Sequence, residues 1–416
     1  MNNFEKTGFI PADILIPKDV SMEKWSVVAC DQYTSQPEYW KAVEEFVGEE
    51  PSSLKVVFPE IYLEDSGYAD NIEKINSSMD KYLSDGMFTT LERSFVYVER
   101  TFLSGKTRRG IVGAIDLENY DYSPKATSLV RATEKTVIER IPPRVKIRIN
   151  AGLELPHIML LIDDQDNTVV EPFAAKSAEL EKVYDFELMQ SGGHISGWRV
   201  PAEAADGMSA SLAKLMEKSD LLFAVGDGNH SLATAKECWE VTKKSLSADE
   251  VKTHPARFAL TEVVNIHDSS LEFEPIHRVL FDCDPQKVID EFMKYYEGAS
   301  TEDSADSEQQ KIPFVFDGSG GVLCVENPPS LLTLRTLQNF LDDYIGENGG
   351  KLDYIHGDEV VRQLAEQPNR IGFLLPPMEK SVLFPAVTSD GALPRKTFSM
   401  GEAEEKRFYL ECRKIK

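Results

Sequence analysis

The sequence predicts a mixed α/β protein in which a central mixed sheet is flanked by helices. Two observations carry that expectation. Residues 221–225 form a short apolar run closed by Gly226-Asp227-Gly228, a helical pattern follows over 232–243, and residues 258–266 are rich in β-branched and aromatic side chains. Together these read as a strand, a crossover helix and a second strand. Residues 94–101 and 109–116 are two more apolar-rich strands separated by Leu103-Ser104-Gly105-Lys106, the pattern of an antiparallel hairpin.

The other elements follow in chain order. Residues 25–30 read as a short buried strand, and Ile72, Ile75, Met79, Tyr82 and Leu83 recur at helical spacing until Gly86 ends that helix. A helix is expected over 127–141, stopped by Pro142-Pro143. Residues 144–149 alternate basic and apolar side chains and read as a strand with Arg144, Lys146 and Arg148 on one face, where a small anion or simply solvent would meet them. A strongly apolar strand is expected over 157–163, closed by a polar turn, and a helix over 202–219 places Met208, Leu212, Leu215 and Met216 on one side. Residues 298–311 have almost no apolar side chains and read as a solvated linker or loop. Phe316-Asp317-Gly318-Ser319-Gly320-Gly321 lacks the Lys-Ser/Thr ending of a phosphate loop and reads as a hairpin turn.

A chain of 416 residues allows two or three structural units. We expect an N-terminal α/β unit over 1–120, a core over 121–297 holding the 226–230 turn, the polar segment 298–311, and a C-terminal α/β unit over 312–416. Forty-five basic against 70 acidic residues leave a net charge of -25, which repels nucleic acid and anionic membranes. The five cysteines form no Cys-x-x-Cys pair, so neither a structural metal nor a disulfide framework is expected. With no leader pattern and no apolar run of membrane length, the expected compartment is the cytoplasm.

The best chemical candidate is the turn Gly226-Asp227-Gly228-Asn229-His230. A helix that opens there points its first N–H groups out of the carboxyl edge of the sheet, where α/β proteins bind ligands. The glycines admit positive φ or a close ligand, Asp227 can bind a metal ion or take a proton, and His230 can donate to an anion. The purely structural alternative is that Asp227 or Asn229 caps the helix. Neither a Gly-x-Ser-x-Gly elbow nor a His-Glu-x-x-His helix occurs.

This turn resembles the Asp-Gly-His-His-Arg motif of the domain of unknown function 1015 family. The resemblance extends along most of the chain through Val28-Ala29-Cys30-Asp31-Gln32-Tyr33, Glu134 with Thr136, His194 with Trp198, Glu274-Pro275-Ile276-His277-Arg278 and Leu393-Pro394-Arg395-Lys396-Thr397, in the family's order. It implies a ParB-like core, shared with nucleotide-dependent free serine kinases and CTP-hydrolysing partition proteins, and hence a nucleotide or phosphate site. Asn229 and Ser231 depart from the motif, where His and Arg are usual, so one phosphate-binding cation is missing from the turn.

The implied function is a kinase-like phosphoryl transfer to a small molecule, or nucleotide hydrolysis, with ATP or ADP and Mg²⁺ as cofactors. Asp227 would be metal ligand or base. Gly226, Gly228, Asn229, His230, His277, Arg278, Arg395 and Lys396 would surround the phosphates, with His194 and Trp198 lining the acceptor or base pocket. The expected partners are a small molecule or nucleotide, without nucleic acid or membrane, and a homodimer is allowed. The rival is a ligand-binding or regulatory protein that keeps the cleft without turnover. A third reading, a partition-like nucleic-acid binder, is disfavoured by the charge.

Overall fold

The computed structural model describes residues 2–63, 68–303 and 309–416. The chain divides into two compact units, one made of Met1–Leu271 with Gly401–Lys416 and the other of Glu272–Met400. The first is built on an 11-stranded sheet that is mixed, as expected. Phe258–Asn265 runs parallel to Met159–Ile162 and antiparallel to Thr107–Asp116. Phe223–Asp227 runs parallel to Val130–Ala132 and antiparallel to Met159–Ile162.

Strand alternation divides the core between the two faces of this sheet. In Phe88–Thr101, Phe95 and Tyr97 enter one apolar cluster, together with Leu212 and Trp239 of the helices Asp206–Lys218 and Asn229–Thr242. Val96 and Val98 enter the other, with Trp40 and Val43 of the helix Pro37–Val47. The second unit carries a six-stranded sheet, whose core also takes in the helices Pro285–Tyr295 and Thr333–Asn348.

Several expectations fail for identifiable reasons. The boundary at residue 120 falls within the large sheet, because Phe88–Thr101 and Thr107–Asp116 pair with strands from much later in the chain. The boundary at 298–311 lies within the second unit: Ala299–Ser300 and Gln310–Phe316 are strands there, while residues 304–308 of that expected linker lie outside the described residues. Residues 127–141 hold the strand Val130–Ala132 and a short 3₁₀ turn rather than a helix. The helix is Ile141–Arg148, so Pro142-Pro143 opens it instead of ending it, proline being compatible with a first turn whose N–H groups have no intrahelical partner. Residues 144–149 are accordingly not a strand. Arg144 and Arg148, four apart on that helix, reach Glu60 and Glu154 respectively. The hairpin turn at 317–318 between Gln310–Phe316 and Ser319–Val325 is as expected.

The segment Gly401–Lys416 returns to the first unit and is woven into it. Phe408–Tyr409 pairs with Val27–Val28, Arg413–Lys414 pairs with Leu153–Glu154, and Leu15 bridges Cys412. Arg407 is 2% exposed and lies between two equally buried carboxylates, 3.3 Å from Glu262 and 2.7 Å from Glu411. Tyr184 donates its hydroxyl to Glu411 at 2.6 Å. Gly110 on the neighbouring strand leaves room for Glu262, since a Cβ there would collide with its carboxyl group. Replacing one partner of such a network leaves uncompensated buried charge, which costs about 3–5 kcal/mol. Arg407→Met should therefore lower the thermal midpoint by roughly 6–20 °C in calorimetry. A loss under about 2 °C would show that the network contributes little.

Candidate functional site

Phe223–Asp227 ends in a β-bulge: Val225 lies opposite Leu160 and Asp227 opposite Met159, with Gly226 displaced between them. A bulge of this kind re-aims the next side chain, here Asp227. Gly228 then takes φ +76°, and a Cβ there would lie 3.0 Å from the backbone of Ile158, so the position needs glycine for both conformation and space. The helix Asn229–Thr242 starts at once, with Gly228 as its N-cap and no side-chain cap.

That last observation separates the two readings of the turn. Asp227 Oδ1 accepts the N–H of Gly228 at 2.8 Å, which is not a helix-capping contact, and Asn229 Oδ1 is buried without a hydrogen-bond partner. Leu232 N–H is the first to close a helical bond, onto Gly228 O at 3.0 Å. The N–H groups of residues 229–231 thus form an uncapped positive end, the backbone arrangement that receives anions.

The returning segment 401–416 supplies the charge at this turn. Lys406 Nζ lies 3.4 Å from Asp227 Oδ2. Burial raises the Asp227 carboxyl, but Lys406, His157 and the Gly228 N–H outweigh it and hold the group below the usual carboxylate range. Asp227 is therefore ionised. Arg100, fully buried, donates to the carbonyl oxygens of Gly192, Glu404, Glu405 and Lys406, fixing the backbone that carries the lysine. Arg108 donates to Glu405 O at 3.0 Å.

His230 occupies the first turn of the helix. Its Nε2 accepts the Val137 N–H at 3.3 Å, so the neutral ring carries its hydrogen on Nδ1. Burial, with Arg144 and Arg140 nearby, pushes its pKa down to about 4. His230 can therefore offer an anion a neutral donor near pH 7. Thr133 donates to Val225 O at 2.6 Å and Thr136 Oγ1 is buried without a partner, which places the segment with Glu134 and Thr136 beside the turn.

A chain of polar side chains runs away from the same helix end. Ser231 Oγ lies 3.1 Å from His157 Nε2, His157 Nδ1 lies 2.8 Å from the Tyr409 hydroxyl, and Tyr409 donates to Cys30 Sγ at 3.0 Å. Asp31 Oδ2 is 3.8 Å from His157 Nε2. Ser231, His157, Tyr409 and Cys30 border a cavity of about 140 Å³.

Of the remaining expected residues, His194 and Trp198 lie elsewhere in the first unit, and the others belong to the second. His194 and Trp198 are on the strand His194–Pro201, not in a loop: His194 Nε2 pairs with Asp185 at 2.9 Å, and Trp198 is 8% exposed, packed against Tyr97. His277, Arg278, Arg395 and Lys396 belong to the second unit. Arg278 is fully buried there, donating to Gln338 Oε1, Ile276 O and Arg395 O with its guanidinium over the Tyr354 ring, contacts that give it a structural role within that unit. His277 accepts the Leu375 N–H and pairs with Asp358. Arg395 and Lys396 are exposed at a turn closed by Thr397 donating to Pro394 O. His157, Tyr409 and Lys406 were missed: one lies inside an apolar strand pattern and the others are more than 170 residues beyond the turn.

Residues 13–344 match the family model described as a protein of unknown function, DUF1015. No curated protein matches. Among solved structures the chain is similar to a free serine kinase mutant in complex with ADP, at 10% identity and a TM-score of 0.40 over 73% of this chain and 91% of that one. The free serine kinase in complex with AMP gives 10% identity and a TM-score of 0.39 with the same coverage. A conserved hypothetical protein from Pyrococcus furiosus gives 10% and 0.37 over 73% and 94%.

Because the His230 ring is neutral in the fold, the unfolded chain takes up its proton first as pH falls. The contribution of that ring to stability is complete above pH 6.5 and is lost between 6.5 and about 4. In thermal melts the gap between wild type and His230→Gln should therefore narrow as pH is lowered from 7 to 4.5. A gap independent of pH would reject the depressed ionisation.

Proposed function

Taking as premise that the chain belongs to the DUF1015 family, we propose that it binds a nucleotide at the 226–230 turn and transfers or releases a phosphoryl group. The observation that carries this reading is the uncapped helix end beside an ionised Asp227 and its Lys406 partner. The N–H groups of residues 229–231 would hold phosphate oxygens, Lys406 would add the charge that Ser231 does not supply, and the Nδ1–H of His230 would donate a neutral hydrogen bond. The ParB-like grouping belongs to this same proposal. At TM-scores near 0.4 the structural neighbours add no argument about chemistry, and the reading stands on the turn.

Among the described residues no three His, Cys, Asp or Glu side chains gather as a metal site. A Mg²⁺ that arrives with nucleotide phosphates needs only one or two protein carboxylates, and Asp227 fits as one. Such an ion would offset the charge on the phosphates. The depressed ionisation of Asp227 makes it a weak base, so its role here is electrostatic: it holds Lys406 at the helix end and receives the metal.

Asp227→Asn keeps the shape and removes the charge. Nucleotide turnover should fall by about 100-fold or more when measured well below both thermal midpoints, since the variant also loses its pair with Lys406. Equal turnover in the two proteins at matched stability would remove Asp227 from the mechanism. Nucleotide binding without turnover in the wild type would favour the regulatory reading, to which the departures at Asn229 and Ser231 already point.

A further inference from the structure

The cavity beside the turn has a composition of its own. Its walls include Val56, Phe58, Met79, Leu153, Ile158 and Leu260, and its other side carries Ser231, His157, Tyr409 and Cys30. The charged groups on its lining are matched, Arg144 with Glu60 and Arg148 with Glu154. At about 140 Å³ it is close to the size of an apolar cavity that admits benzene. A small polar metabolite would leave its hydrogen-bonding groups unsatisfied against such walls, a penalty that apolar burial cannot repay.

We propose that this cavity holds the acceptor of the phosphoryl group, and that the acceptor is a small alcohol with an apolar body of about six to eight heavy atoms and its hydroxyl at Ser231 and His157. This assignment rests on the phosphoryl reading of the adjacent turn. The hydrogen-bond chain sets the ring for the task. Tyr409 has one proton, given to Cys30 Sγ, and its oxygen also accepts the Cys30 N–H at 3.2 Å. His157 Nδ1 must then donate to Tyr409, which leaves Nε2 as the acceptor facing Ser231.

In the transfer step the alcohol oxygen forms a bond to the terminal phosphorus of the nucleotide, and the bond from that phosphorus to the bridging oxygen breaks. The nucleotide departs one phosphate shorter. The alcohol proton passes to His157 Nε2, directly or through Ser231 Oγ. The imidazolium so formed is balanced by Asp31, 3.8 Å from Nε2. Cys30 and Tyr409 act as positioning residues.

The test compares two probes in thermal melts of the full chain, benzyl alcohol and glycerol at equal concentration. Benzyl alcohol should raise the midpoint by about 2 °C or more and glycerol should not. Ala151→Phe and the milder Val57→Phe, both filling the cavity wall, should abolish that shift while leaving the shift caused by nucleotide intact. Equal shifts with both alcohols, no shift with benzyl alcohol, or a benzyl alcohol shift that survives the filled cavity would overturn the assignment. Phosphate-ester formation with benzyl alcohol, followed by mass spectrometry, separates the two proposals: binding without ester upholds the cavity and overturns phosphoryl transfer. His157→Gln should lower ester formation about 100-fold, and Tyr409→Phe should lower it less while shifting its pH profile. Unchanged rates and profile in both would remove the imidazole from the step.

Discussion

Arg407 sits between Glu262 and Glu411 in the interior of the first unit, and the geometry of the candidate site depends on where that guanidinium is held. Burial alone would make it easier to deprotonate, but the two carboxylates more than reverse this and keep it charged. One carboxylate belongs to the central strand Phe258–Asn265 and the other to the returning segment. The triad therefore ties the last residues of the unit to the middle of its sheet. On either side of Arg407 in sequence, Lys406 reaches Asp227 and Tyr409 reaches His157. A charge network that is costly to break thereby fixes two contacts at the turn.

The division of labour at the turn follows from burial. Asp227 has a cation and a backbone N–H close enough to stay ionised, whereas His230 has burial and two arginines against its proton and stays neutral. Two neighbouring titratable groups are thus held in defined states across the neutral range. His157 stands on the far side of Ser231, its two ring nitrogens hydrogen-bonded to Ser231 and Tyr409. Ser231, where the resemblance leads one to expect a positive charge, instead sets a hydroxyl against His157 Nε2.

What could be read from the sequence was local. The turn was legible because glycine, aspartate and a following helical pattern within a few positions leave few alternatives, and so was the hairpin at 317–318. The rest depended on contacts no local pattern records. Pro142-Pro143 fits the start of a helix as well as its end, and the alternation after it was misread because a strand and the first turns of a helix share short patterns. Trp198 and Arg278 have residue types common to binding sites, yet one packs in the core and the other satisfies carbonyl oxygens. Lys406 and Tyr409 carry no motif; the pairing of Phe408–Tyr409 with Val27–Val28, the bonds of Arg100 to the 404–406 backbone and the Arg407 triad bring them to the turn.

The return of the 401–416 segment also has a meaning for how the protein is made. Leu15 exchanges backbone hydrogen bonds with Cys412, and Trp25 donates its indole N–H to Leu410 O. On the ribosome, the first strands wait for nearly four hundred residues before these partners emerge, and until then the edges they will cover stay open. Contacts of such sequence separation form late and slowly. The nascent chain can build its turn, its helix and its cavity walls early, but it cannot place Lys406 or Tyr409 until synthesis has passed them. A nascent chain that has not yet reached residue 409 therefore has the turn without the lysine and the tyrosine that surround it.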